Sequence, residues 1–344
     1  MNLYLRYIFG LAASAVCLVC VSGCDSGRET EQDAHLSDII EKIQEDCSDG
    51  DCVIAGGDDH LRAAASSAPL ALPDFFDCVR ESGGVVLAAH RGGPAPGYPE
   101  NAIETLQYGW DQGVQVFEID VAESRDGMLF LMHDRMLGRT STGEGAVADT
   151  DWEDIARTRL IDNAGTLTGF HPPRLTDALL WAVETGAVLE LDRKPTTSFR
   201  NIVSAVRAAG AEGNVLLITY NDTDVAQVAE HAPDMMLTAS ARSTGDVAEL
   251  DGMGIDPRNL VAWTGTSNPD TGAFDRLQSV GIEPAFGTLG RPGDRLDDQW
   301  IADGDVSEFE ALIEGGLVML ATDIPYDLLP LLEADNTAAQ ACPR

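Results

Sequence analysis

An α/β fold, a (β/α)8 barrel of the TIM type, is the architecture this 344-residue sequence predicts. Three observations predict it. Short apolar runs bounded by turn residues recur from about residue 85 onward. Helix-like stretches separate most of them, as a parallel sheet with crossover helices requires. Residues with acid–base or ligand chemistry stand at the carboxyl ends of several runs, where parallel barrels carry their sites.

The elements begin after an N-terminal segment of different character. Arg6 is followed by the apolar stretch Ile8 to Val21 and then by Val21-Ser22-Gly23-Cys24. The run is short and early, as in a secretory signal. Small residues before a cysteine resemble the lipobox of bacterial lipoproteins, so residues 1–24 are expected to be a signal ending at a lipidated Cys24. Residues 25–71 follow as an acidic tether with one short amphipathic helix on Leu36, Ile39, Ile40 and Ile43. The folded domain is expected over residues 72–344. Export places Cys47, Cys52, Cys78 and Cys342 in an oxidising compartment. Three pairings are open. We favour Cys47 with Cys52 and Cys78 with Cys342, because a closed barrel brings the segment before its first strand near the chain end.

Nine runs read as strands: Val85 to Ala89, Val114 to Val121, Met128 to Met132, Ala187 to Leu191, Val215 to Thr219, Met235 to Ala239, Leu260 to Thr264, Ile282 to Thr288 and Leu317 to Thr322. Helices are expected over Ala102 to Gln112, Thr176 to Glu184, Arg200 to Ala209, Asp222 to Glu230 and Val306 to Glu314. Nine candidates for eight places leave one outside the barrel, and Leu260 to Thr264 is the expected outsider. Only Ala122 to Gly127 joins the second and third runs, too few residues for a crossover helix. A hairpin there would send His133 away from Asp120, so a parallel third strand with an extended return is expected if His133 is functional.

Formal net charge is −35 with a pI near 4.2, which repels nucleic acid and excludes that class of partner. The same field opposes an anionic substrate, so a phosphate site needs a local cluster of cations. Lysine is nearly absent, and Lys194 stands out as a point charge beside Asp192.

Period-two alternation puts Glu118 and Asp120 on one strand face, with His90, His133 and Asp192 at neighbouring strand ends. Three hard oxygens suit one divalent cation, Mg²⁺ or Ca²⁺, better than zinc. Glu190 shares the parity of Asp192 and is an alternative third ligand. Cleaving a phosphodiester requires removing a proton from the nucleophile, protonating the leaving oxygen and neutralising the phosphoryl oxygens. His90 and His133 can share the first two tasks, because imidazole titrates near neutrality. Arg91, Lys194 and the cation can perform the third.

The segment from Ala88 to Leu160 carries Ala-His-Arg-Gly, Pro-Glu-Asn, Glu-Ile-Asp-Val, Arg-Asp-Gly, Met-His-Asp, Leu-Gly-Arg-Thr and Gly-Glu-Gly-Ala-Val-Ala-Asp. This set closely resembles the glycerophosphodiester phosphodiesterases, and Ala321-Thr322-Asp323-Ile324-Pro325 looks like that family's closing strand. The resemblance spans about Val85 to Leu332. It implies a (β/α)8 barrel with an insertion after the third strand, within Arg135 to Arg174. It implies His90 and His133 as acid and base, Arg91 and Lys194 as phosphate contacts, and Glu118 and Asp120 as metal ligands. Glu100 matches a family glutamate that touches metal or substrate, while Asn101 could equally cap the next helix. Attack by a substrate hydroxyl through a cyclic phosphate is a further implication of the likeness.

Two departures stand out. The family's Glu-x-Lys is Asp192-Arg193-Lys194 here, one methylene shorter. Its Trp-Thr near the seventh strand aligns with Phe286-Gly287-Thr288-Leu289, with Trp263 in an earlier run, so an altered alcohol pocket is expected. The reading is therefore an exported, membrane-anchored, metal-dependent hydrolase acting on small phosphodiesters. Its rivals are a phospholipase D-type enzyme on the same barrel and a catalytically inactive metal- or phosphate-binding lipoprotein.

Overall fold

The structure is a computed structural model that describes residues 70–302, 304–332, 342 and 344. Eight parallel strands close into a barrel: β1 (Val86–Ala89), β2 (Val116–Glu123), β4 (Val188–Arg193), β5 (Val215–Ile218), β6 (Met236–Ser240), β7 (Leu260–Trp263), β8 (Glu283–Gly287) and β9 (Met319–Thr322). Strand β9 pairs with β1, and β1 with β2, so no edge is left open. A ninth strand, β3 (Leu129–Leu131), runs antiparallel along β2.

Burial on both faces explains why these runs are apolar at nearly every position. In β4, Leu189 and Leu191 pack outward with helix residues such as Leu179 and Ile202. Val188 packs inward with Val86, Val116, Leu216, Met236 and Val261. The helix Leu72–Ser82 joins this inner cluster through Leu72, Phe75, Phe76 and Val79, closing the amino-terminal mouth. Between strands, helix Phe199–Ala209 shows how local chemistry bounds an element. Ser198 accepts the Asn201 N–H at its start, and Gly210 (φ 66°) ends it in the left-handed region.

Two expectations about the strands are corrected. Leu260 to Thr264 is a barrel strand, paired in parallel with β6 and β8. The outsider is Met128 to Met132, and it is a hairpin rather than a parallel strand. The hairpin does not carry His133 to the far mouth. Strand β2 reaches Glu123 before the chain turns back, and β3 is only three residues long. Val121 then lies opposite Leu131, and the Met132 N–H donates to the Asp120 carbonyl, so His133 follows beside the carboxyl end of β2.

The insertion between β3 and helix Leu175–Thr185 holds the short helix Trp152–Ala156 and antiparallel bridges such as Ser141 to Leu160 and Ile161 to Leu167. It packs on a small core of its own that includes Phe130, Met132, Leu137, Val147 and Ile155. Cys78 and Cys342 form a disulfide with Cα atoms 5.8 Å apart. Cys24, Cys47, Cys52, the segment proposed as signal and all of the proposed tether before residue 70 lie outside the described residues. Among the described residues, no helix is long and apolar enough to cross a membrane.

Candidate active site

His90 ends β1 and opens a tight turn, His90-Arg91-Gly92, in which Arg91 adopts φ 53° and Gly92 φ 82°. A Cβ on Gly92 would meet Leu106 Cδ2 at 2.9 Å, so only glycine fits both the backbone and the space. The turn aims the Arg91 backbone N–H at Glu118 Oε2, 2.7 Å away. Asn101 is also left-handed (φ 59°), at a cost on the order of 1 kcal/mol. That geometry lets its side chain bracket Asp120: Nδ2 donates to Asp120 Oδ2 at 2.6 Å, and Oδ1 accepts the Asp120 N–H at 2.9 Å. Asn101 therefore holds a carboxylate rather than capping the next helix, which starts from Ala102.

Glu118, Asp120 and Asp192 each offer an oxygen within 4.8 Å of the others, and all three are buried. Glu190 is not in this group. Lys194 Nζ lies 2.5 Å from Asp120 Oδ1 and 2.6 Å from Asp192 Oδ2, so it sits against the carboxylates. Burial pushes the Glu118 carboxyl well up, reinforced by Asp120 and Asp192. Burial also opposes ionisation of Asp120, but the Lys194 ammonium and the hydrogen bonds from Lys194 and Asn101 outweigh it and hold that carboxyl down. Three buried carboxylates against one ammonium leave an excess of negative charge that burial penalises. This all-oxygen set fits a hard divalent cation, which would neutralise that excess.

Each imidazole has a carboxylate on Nδ1. His90 Nδ1 is 2.7 Å from Asp323 Oδ1, and His133 Nδ1 is 2.7 Å from Asp134 Oδ1. Although burial opposes it, the His90 contact and the Gly290 N–H hold the Asp323 carboxyl down at about 2. Arg139 contacts hold Asp134 at about 2. Arg91 Nη2 lies 2.9 Å from His133 Nε2 and joins the two halves of the site. Glu100, 2% exposed, is clasped by Arg139 at 2.7 and 2.9 Å and more loosely by Arg91. It lies outside the carboxylate trio and sets the two guanidiniums.

The barrel mouth thus gathers His90, Arg91, Glu100, Glu118, Asp120, His133, Asp192 and Lys194 at one rim. Sequence reasoning missed Asp323 and Arg139. Asp323 stood at the carboxyl end of the last strand, the one signal that could have found it.

A cavity of about 290 Å³ opens beside His90, lined by Glu118, Glu190, Asp192, Tyr220, Trp263 and Leu289 among others. Trp263 reaches it from β7, and Gly287 makes room for its ring, since a Cβ there would meet Trp263 Cη2 at 2.8 Å. A tryptophan thus lines this cavity from β7, the strand before the one that ends in Phe286-Gly287. Glu190 lines the same cavity, its carboxyl pushed up to about 8 by burial and then by Asp192.

Comparison with known proteins agrees with this geometry. Residues 90–235 match the glycerophosphoryl diester phosphodiesterase family. The chain is similar to that family over this segment. It is a phosphoric diester hydrolase. The enzyme is 26% identical over 258 residues to an uncharacterized Bacillus subtilis protein, YqiK, covering 72% of this chain and 98% of that one. It is 30% identical over 140 residues to the probable glycerophosphodiester phosphodiesterase 2 of Mycobacterium tuberculosis, spanning 41% of this chain and half of that relative. Its fold resembles a crystal structure of a glycerophosphoryl diester phosphodiesterase from Parabacteroides distasonis, with TM-score 0.67 and 23% identity, covering 79% of this chain and 96% of that one.

Proposed function

We propose that the enzyme hydrolyses glycerophosphodiesters, or related lysophospholipid-type diesters, to a phosphomonoester and an alcohol, with His90 and His133 as acid and base. The observation that carries this reading is the pair of carboxylate-backed imidazoles, Asp323 with His90 and Asp134 with His133, joined by Arg91. The hydrogen-bond pattern at His133 supports the base assignment. Arg91 can only donate, so Nε2 accepts and Nδ1–H donates to Asp134, a neutral tautomer set to take up a proton. His90 Nε2 lies 3.9 Å from Glu118 Oε2, an acceptor that favours a proton on that nitrogen and suits it to protonate the leaving oxygen.

Arg91 Nε is buried without a hydrogen-bond partner, a donor that a phosphoryl oxygen would satisfy. Lys194 adds an ammonium from among the carboxylates. Glu118, Asp120 and Asp192 would hold a divalent cation, Ca²⁺ or Mg²⁺, which when bound supplies Lewis-acid stabilisation of phosphoryl charge. Residues 1–24 direct export, and Cys24 carries the lipid that anchors the enzyme to a bacterial membrane; the apolar run and the small residues before Cys24 support this.

Replacing His90 or His133 by alanine is expected to lower kcat on bis(p-nitrophenyl) phosphate or glycerophosphocholine by about 10²- to 10⁴-fold with unchanged circular dichroism. Near-normal turnover by both variants ends the acid and base assignment. Chelation is expected to abolish activity and Ca²⁺ or Mg²⁺ to restore it; full turnover in chelator removes the cation from the reading. For the anchor, Cys24→Ala is expected to lose labelled palmitate and leave the membrane fraction, and unchanged fractionation refutes it.

A further inference from the structure

His90 also lines a second cavity, of about 490 Å³ and with different chemistry from the Tyr220–Trp263 cavity. One wall comes from the insertion, with Arg139 and Asn163. The other comes from the loop after β8, with Arg291 and Arg295. Four guanidiniums, counting Arg91, face this cleft in a chain whose net charge is −35.

The carboxylates of the cleft are already committed. Glu100 accepts from Arg91 and Arg139. Asp323 accepts from His90, the Gly290 N–H and Arg295. Asp162 accepts the N–H groups of Gly97, Ala164 and Thr166. Arg291 is different: it is exposed, and among the described residues its guanidinium makes no ion pair or side-chain hydrogen bond. Its backbone carbonyl accepts the N–H groups of Asp294 and Arg295, and Pro292 follows, so a closed turn presents the side chain. The turn is also tied to the site, because Arg295 and the Gly290 N–H share the carboxylate that backs His90.

We infer that this cleft is a second anion subsite, in which Arg291 receives a second phosphate or carboxylate carried by the alcohol portion of the diester. The substrate class is then a diester whose alcohol bears a further anionic group. This rests on the phosphodiesterase reading of the rim. An uncommitted guanidinium beside committed carboxylates offers an incoming anion a charge-assisted, bidentate contact with no resident anion to displace.

The test compares two deacylated lipids that present the same bond, 1,3-bis(glycerophospho)glycerol with two phosphates and glycerophosphoglycerol with one. At low ionic strength, kcat/KM is expected to favour the former by about tenfold, beyond the factor of two from its equivalent ends. The preference should shrink with added salt. Arg291→Ala should abolish the preference and its salt dependence while changing turnover of the single-phosphate compound little. Equal rates in the wild type, or a preference that survives Arg291→Ala, overturn the inference. Turnover of neither compound counts against the phosphodiesterase reading instead, and calorimetric titration of both into His133→Ala protein still decides the subsite. Tenfold tighter binding of the two-phosphate compound, lost when Arg291→Ala is added, supports it, and equal affinities refute it.

Discussion

At the scale of single residues, the site is built from pairs in which one member orients the other. Asp323 shows what such a partner does. Its contact with His90 Nδ1 turns the ring so that Nε2 faces Glu118. Because the folded state holds this carboxyl down at about 2, it stabilises the fold fully above about pH 4 and loses that contribution as pH falls towards 2. The contribution is on the order of 2 kcal/mol. Asp323→Asn, nearly the same size without the charge, is expected to lower kcat roughly 10- to 100-fold with little change in KM. Its stability is expected to vary less with pH between 4 and 2 than that of the wild type. Unchanged kcat together with an unchanged acid limb would show that the carboxylate serves neither purpose. His90, Glu118, Asp120 and Asp192 were legible as residues because strand parity and strand ends are written in the sequence. Asp323 and Arg139 were not assigned, since their roles come from partners 233 and 39 positions away, His90 and Glu100.

At the scale of elements, two packings shape the site. The β2–β3 hairpin returns His133 to the rim because β2 continues to Glu123 while β3 stops at Leu131. The β7–β8 contact places Trp263 over Gly287, where any side chain would strike the indole. Gly287→Ala is expected to displace that ring into the cavity beside His90 and raise KM for small diesters roughly three- to tenfold, with a smaller effect on kcat. Overpacking should also lower stability by about 1–3 kcal/mol. An unchanged KM would mean that the ring does not shape the cavity. Periodicity identified all nine runs but not their pairing. The six residues between the second and third excluded a crossover helix and left the direction of β3 to tertiary contacts.

At the scale of the described domain, its first helix is tied to the last residues of the chain beneath the barrel. Cys78 lies in the helix that closes the amino-terminal mouth, and its bridge to Cys342 spans 264 positions of sequence. Cys342→Ser is expected to destabilise the domain by about 2–5 kcal/mol and to lower Tm by roughly 5–10 °C. Turnover at 25 °C should persist, because the bridge lies at the opposite end from the catalytic rim. A thermal scan checks the first expectation, and a rate assay on the same sample checks the second.

By itself, the sequence determined the barrel class, the chemistry gathered at its rim and the family it resembles, because apolar spacing and short motifs are local properties of the chain. The tertiary structure alone decided which run lies outside the barrel, which carboxylate stands behind His90 and which guanidinium is left without a partner. Those are properties of neighbours distant in sequence, and residue spacing does not encode which distant side chains meet.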